Sequence, residues 1–319
     1  MLNKFWQVFQ KKESQESSAS VVLEQGRIDT VDNAGYDSDA FDEILVMEKL
    51  LKKVGFKNGC WETQVLAREI CLIDRIAAGY DFNAWYESDK ARHALRAQIA
   101  RELVTQKIPE NDDDIRIGLG GCVPRVDKRS DRQAIIILGL PASGKSGVAQ
   151  KMSDNMGAHI IDSDFAKRKF PEIAFPNGAG WTHEESNNVV FNSEGGPLAA
   201  CLGFGYNMII PKIGSEYETI LELKEFLESM KYKVSLGLVW LAPEKALLRA
   251  INRYKDTKRY IPMSVIEKYE DKPLKVYKKL VTEQKWESYL HLSSDVDKGM
   301  PCEVVNISSD CEWWLSDTI

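Results

Sequence analysis

"AIIILGLPASGKS", Ala134 to Ser146, decides how the rest of the chain is read. Ala134–Leu138 is a short unbroken apolar run, the pattern of a strand buried on both faces of a parallel sheet. It runs directly into Gly139-x-x-x-x-Gly144-Lys145-Ser146, which satisfies the Walker A phosphate-loop pattern in full. Glycines let backbone N–H groups turn inward around phosphates, and the helical "GVAQKMSDNM" that follows adds the positive end of its dipole. Gly139, Leu140, Pro141, Ala142, Ser143, Gly144, Lys145, Ser146 and Gly147 are therefore the expected nucleotide-binding set. Lys145 is expected at the β- and γ-phosphates and the Ser146 hydroxyl on Mg²⁺, with ATP or GTP as the nucleotide. A chance match in a turn would lack the buried strand before the loop and the helix after it.

Downstream, strands alternate with helical stretches. "AHIID", "NMIIP", "KVSLGLVWL" and "EVVNI" read as further strands, so an α/β fold with a mainly parallel sheet between helices is predicted. Thr182-x-x-Glu185 and Ser215-x-x-Glu218 fit the capping-box pattern.

Upstream the texture differs. Residues 1–40 are rich in Ser, Glu and Asp without a sustained period and read as a disordered tail. "FDEILVMEKLLKKV" then sets Ile44, Leu45, Met47, Leu50 and Leu51 on one helical stripe. "ETQVLAREICLIDRIAAGY" repeats this with Val65, Leu66, Ile70, Leu72, Ile73 and Ile76. "ESDKARHALRAQIARELVTQ" is a third helix, with Ala94, Leu95, Ile99 and Leu103 expected inward. Residues 41–115 thus read as a helical bundle or arm. "PENDDD" and "GLGGCVPRVDKRSDRQ" read as connections, and 130–319 as the domain that carries the phosphate loop.

Composition narrows the function classes. No apolar run approaches the ~20 residues of a membrane-spanning helix, and the N-terminal apolar patch is too short for a secretory signal. The reading is a chain that folds in the cytoplasm, although a Ser-rich start also suits an effector delivered into a host cell. Six cysteines without a C-x-x-C pair argue against a zinc site or a disulfide framework. Residues 1–114 hold 15 Lys/Arg against 21 Asp/Glu, and the remaining 27 of each sign cancel. That balance argues against a nucleic-acid partner, which needs a basic face.

Two further segments carry chemistry. Asp162-Ser163-Asp164 ends the second strand, where ligands bind in open α/β sheets. Asp164 is the candidate base, while Asp162 is read as a helix cap or a Mg²⁺-side carboxylate. "ALLRAINRYKDTKRYIP" supplies Arg249, Arg253, Lys255, Lys258 and Arg259 to a lid in which guanidinium groups offset the charge of a transferring phosphoryl group. Arg249 and Lys255 are read as solvated members of that face.

Together these segments resemble the zeta-toxin group of P-loop kinases. The phosphate loop with Pro141 two residues after its first Gly, then "IIDSDFAKRKFPE", "HEESNNVV", "GYNMIIPKIG" and "INRYKDTKRYIP", carry the resemblance from roughly Gln133 to Ile266. It implies a P-loop kinase three-layer sandwich and transfer of phosphate to a sugar hydroxyl of a nucleotide conjugate, best known as UDP-N-acetylglucosamine. By resemblance Asp164 is the catalytic base, Lys145 and Ser146 keep their phosphate-loop roles, and Arg253 and Arg259 match the transition-state arginines. His183, Glu184 and Ser186 begin a helix expected across the substrate cleft, Glu185 being the cap partner of Thr182. The sequence departs from the family after the third strand. Where amino-sugar enzymes present an acidic residue, Gly and Thr, this chain reads Pro211-Lys212-Ile213 with only Gly214 retained. Lys212 is therefore a substrate-side candidate, and the departure brings in zeta-like effectors that phosphorylate a ribose hydroxyl of NAD.

The resemblance also implies a partner, since zeta toxins are held inactive by a small helical antitoxin at the nucleotide site. The N-terminal helices read either as such an inhibitor in cis or as an extension of the fold. Two alternatives are weaker. A polynucleotide 5′-hydroxyl kinase lacks support from charge, and a nucleotide-dependent switch lacks the Asp expected after a buried third strand in "NMIIPKIG".

Overall fold

β1 (Gln133–Leu138) forms where the apolar run predicts it, and residues Ala134–Leu138 are each at most 1% exposed. Its isoleucines suit a strand covered on both faces. In the computed structural model, which describes residues 38–57, 60–78, 90–176, 178–192, 194–297 and 300–308, β1 lies between two parallel neighbours. These are β3 (Met208–Lys212) and β4 (Lys233–Trp240), and Leu138 stands opposite Lys212 on one side and Leu238 on the other. β2 (His159–Ile160) pairs with β3; β5 (Tyr289–Ser293) and β6 (Glu303–Ile307) continue beyond β4. Among the described residues the order is β2-β3-β1-β4-β5-β6, with β5–β6 antiparallel and the rest parallel. Parallel strands end on one edge. The phosphate loop, Asp162, Lys212 and Ser294 therefore leave the sheet along the same side.

Contacts divide the chain into two units, Met1–Tyr80 and Asp81–Ile319. The first holds α1 (Ser38–Lys53) and α2 (Trp61–Ala78). Leu51, Val54, Thr63, Leu66, Ala67, Ile70 and Cys71 are its buried residues among those described, while Leu45, Val65, Leu72 and Ile76 of the expected stripes are exposed. The stretch expected as a tail lies outside the described residues up to 37, and 38–40 begin α1.

The third expected helix, α3 (Lys90–Thr105), falls in the second unit. Its buried face is part apolar, Ile99, Ala100 and Leu103, and part charged, Arg92 and Glu102. Ala94, expected inward, is exposed. Buried charge must be paired, and the partners lie in this unit. Arg92 reaches Glu172 and Glu185 at 3.0 and 2.5 Å, and Glu102 accepts from the fully buried Lys169 at 2.7 Å.

The remaining helices are α4 (Lys145–Met156), α5 (Ser163–Lys167), α6 (Gly178–Trp181), α7 (His183–Asn187), α8 (Pro197–Phe204), α9 (Tyr217–Ser229), α10 (Pro243–Thr257), α11 (Met263–Tyr269) and α12 (Lys272–Glu283). The capping box expected at Thr182 does not form. Thr182 turns its hydroxyl back to the Gly178 carbonyl, and Glu185 is taken by Arg92 and Arg96. The N-cap residue of α9 is Glu216, whose own side chain makes no cap bond. Among the described residues no helix is long and apolar enough to cross a membrane.

Candidate active site

The loop after β1 has backbone demands that only its own sequence meets. Gly139 has φ 152°, and a Cβ there would lie 2.5 Å from the Val239 carbonyl oxygen. Gly144, at φ 93°, is the N-cap of α4, and Ala142 holds φ 61°, a left-handed conformation costly for a residue with a Cβ. Lys145 Nζ donates to the carbonyls of Gly139 and Leu140, both at 2.6 Å. Burial lowers its pKa to about 8, against the opposing charges of Asp162 and Asp164. Ser146 and Gly147 stand exposed in the first turn of α4.

A second strand end braces this loop. Ser294, just after β5, donates through its hydroxyl to the Ser143 carbonyl at 2.6 Å. Arg249 on α10 holds Ser294 in turn, through its carbonyl at 2.6 Å and its hydroxyl at 3.3 Å. Arg249 is thus half-buried beside the phosphate loop rather than solvated. Its spacing of one helical turn from Arg253 puts the two on one face, the signal that could have revealed it.

Asp162 caps α5: its carboxylate accepts from the Asp164 N–H at 2.8 Å. Burial foremost, and the neighbouring Asp164 carboxylate, push its pKa up. Asp164 behaves oppositely. Burial raises its pKa, but Lys167 and Arg259 outweigh that and hold it well below the usual carboxylate range. Lys167 Nζ donates to one of its oxygens at 2.9 Å and Arg259 Nη2 to the other at 2.7 Å. Arg259 is delivered by the end of α10, where Lys258 adopts φ 61° and turns the chain.

His183 sits near this pair. Lys167 foremost, then burial and Lys212, bring its pKa down to about 3, with Asp164 opposing, so it is neutral at neutral pH. Lys212 Nζ lies 4.3 Å from the Phe191 ring centroid. Ser186 is buried and its hydroxyl makes no hydrogen bond among the described residues. Glu184 is exposed, at the outer side of α7.

Arg253 does not point at Asp164. Its Nη2 lies 2.5 Å from Oδ1 of Asp113, in the 3-10 turn Asp112–Asp114 within the "PENDDD" connection. Arg168 reaches the same oxygen at 3.1 Å, and Arg259 Nη1 approaches it at 3.9 Å. Asp112 lines a cleft of about 220 Å³ with Ser146, Asp162 and Pro211. The structure thus brings together Lys145, Asp162, Asp164, Arg259, His183 and Lys212. It adds Lys167, Arg168, Arg249, Ser294 and Asp113, which the sequence reading does not assign to the site.

With this geometry in place, the zeta-toxin family model matches residues 120–290, more than half of the chain. The chain belongs to the zeta-toxin family. It is a P-loop kinase. No curated protein sequence matches it. Among solved structures it is similar to the PezAT chromosomal toxin–antitoxin system of Streptococcus pneumoniae, at 16% identity and TM-score 0.48 over 72% of this chain and 84% of that one. It is also similar to the AvrRxo1-ORF1:-ORF2 complex, at 13% identity and TM-score 0.41 over 90% of this chain and 78% of that one. The same complex with ATP scores alike, at 13% identity and TM-score 0.41 over 88% and 74%. The zeta-toxin match begins after the Asp112–Asp114 turn, so the acidic contact to Arg253 and Arg259 lies outside the matched residues.

Proposed function

We propose that this chain transfers the γ-phosphoryl group of ATP to a sugar hydroxyl of a nucleotide conjugate, with UDP-N-acetylglucosamine the acceptor its family implies. The observation that carries this reading is Asp164, a carboxylate beyond β2 held by Lys167 and Arg259 and within electrostatic reach of Lys145. The acceptor oxygen bonds to the γ-phosphorus as the bond to the β–γ bridging oxygen breaks, and the hydroxyl proton passes to Asp164. ADP leaves. Lys145 follows the β- and γ-phosphates, and Arg253 and Arg259 offset charge on the transferring oxygens.

Asp164 paired with two cations is a weak base. Once Arg259 turns to a phosphoryl oxygen, one cation is withdrawn and the carboxylate regains proton affinity. The demand on it stays modest, because a loose phosphoryl transition state needs orientation more than proton abstraction. The Ser146 hydroxyl and Asp162 carboxylate line one cleft, a hard-oxygen pair that suits Mg²⁺, which keeps few protein ligands beside phosphate oxygens and water. Bound there, the ion would neutralise charge on the β- and γ-oxygens.

Lys212 supports a second acceptor. A cation opposite the end of β1 suits the pyrophosphate of a nucleotide sugar or of a dinucleotide, and with the acidic residue of amino-sugar enzymes replaced here, the ribose hydroxyl of NAD is the alternative. Family membership supports a toxin or effector role with a protein antitoxin as partner. The test is transfer of labelled phosphate from ATP–Mg²⁺ to UDP-N-acetylglucosamine, NAD or a 5′-hydroxyl oligonucleotide. One of the first two should be labelled, and Lys145→Ala should abolish it. Labelling of the oligonucleotide alone, or full activity in Lys145→Ala, contradicts the reading.

A further inference from the structure

We propose that Asp113 stands in for a phosphoryl oxygen: Arg168, Arg253 and Arg259 form one anion site, which the γ-phosphate of a nucleoside triphosphate takes over by displacing the Asp112–Asp114 turn. The inference rests on the kinase reading, and adds to it a third arginine and an internal competitor.

Three guanidinium groups converge on a single oxygen, Asp113 Oδ1, at 2.5, 3.1 and 3.9 Å. The side chains of Arg168 and Arg259 are only 6% and 12% exposed. Buried guanidinium groups require a bound anion, and carboxylate and phosphate are the two that match their fork. Asp112 takes a further N–H of Arg168 at 3.1 Å and Asp164 one of Arg259 at 2.7 Å, yet the three carboxylates together do not satisfy these two arginines. Arg168 Nε, Arg259 Nε and Arg259 Nη1 are buried without a hydrogen-bond partner among the described residues. A phosphoryl group brings three acceptor oxygens and more charge than a carboxylate, so it is the better occupant.

The turn also sits in the right place. Gln150 on α4, the helix that follows the phosphate loop, ties it down by donating to the carbonyls of Pro109 at 3.0 Å and Glu110 at 3.3 Å. Asp112 also borders the cleft lined by Ser146 and Asp162, so the seated turn flanks the place where the phosphates are expected. Asp113 itself is 38% exposed, so it can pass into water once a phosphoryl group takes over its pairing with the arginines. With the turn seated, only a fraction of the molecules is competent for a triphosphate, and the apparent affinity falls by that fraction.

The experiment is calorimetric titration of the full chain and of Asp113→Asn with ATP–Mg²⁺ and with ADP–Mg²⁺. Asp113→Asn is expected to tighten ATP about tenfold, the effect of removing a competitor that occupies about nine molecules in ten, and to change ADP less than about twofold. ADP controls for the simple loss of a negative charge. Unchanged or weakened ATP binding overturns the proposal, because Asp113 would then be a strut that positions the arginines. Hydrogen exchange on the unmodified chain gives a readout without mutation. Residues 111–114 should exchange faster with ATP than with ADP, and equal or slower exchange overturns the proposal. If the chain transfers phosphate while Asp113→Asn binds ATP like the parent, this inference alone fails. If ATP tightens in a chain that transfers nothing to any acceptor, the anion site stands and the kinase reading fails.

Discussion

Lys145 folds its ammonium onto two carbonyls of its own loop while burial lowers its pKa to about 8. A base with a depressed folded pKa binds its proton less readily than the unfolded chain does. In the free protein its charge therefore costs stability at neutral pH, a cost relieved as the pH rises from about 8 toward the ordinary 10.5. Nucleotide phosphates should restore the charge. Calorimetry of ATP binding in buffers of different ionisation enthalpy should find uptake of about one proton at pH 9 and almost none at pH 7. Equal uptake at both pH values would count against a phosphate-facing Lys145. Residues of this kind are legible because their backbone setting is written beside them, as Gly139 and Gly144 are for Lys145. Arg168 and Asp113 were not, because each acquires its meaning from a partner 55 residues or more away in sequence. The Lys167 contact to Asp164 spans one turn of α5, and its signal in the sequence is the i,i+3 spacing of the two residues.

At the scale of elements, the continuous apolar runs predicted β1, β3 and β4 closely, and β5 went unseen. In "YLHLS" only Leu290 and Leu292 are buried, alternating with half-buried Tyr289, His291 and Ser293, a weaker signal than an unbroken run. α3 shows the limit of apolar periodicity in another way. Its inner face includes Arg92 and Glu102, which a hydrophobic stripe cannot reveal. Glu102 there answers Lys169, which also donates to the carbonyls of Arg116 and Leu119. Lys169→Ala leaves the Glu102 carboxylate buried without its cation and should cost ~3–5 kcal/mol. Adding Glu102→Gln should recover part of the loss, because the uncompensated charge is then removed. Denaturant midpoints of the two variants check this. A loss below about 1 kcal/mol in Lys169→Ala would mean that the pair is not a fixed part of the second unit.

For the whole molecule, the sheet gathers one set of strand ends into an edge where the phosphate loop, Asp164, Arg253 and Arg259 lie, the groups we propose to act on one phosphoryl group. The fold and the phosphate loop were legible together because they share one stretch of sequence, "AIIILGLPASGKS", and the family because further motifs follow it in order as far as Ile266. The acceptor was not, since Lys212 changes the charge of the site without specifying a sugar. The central claim is transfer to a small nucleotide conjugate with Asp164 taking the proton. Its most direct test is mass spectrometry of a metabolite extract incubated with ATP–Mg²⁺ and either the full chain or Asp164→Asn. The account predicts that one nucleotide conjugate gains a single phosphate with the unmodified chain, and that Asp164→Asn forms it ~10²–10⁴-fold more slowly. Near-normal turnover in Asp164→Asn, or ATP consumption without any metabolite gaining phosphate, would contradict it.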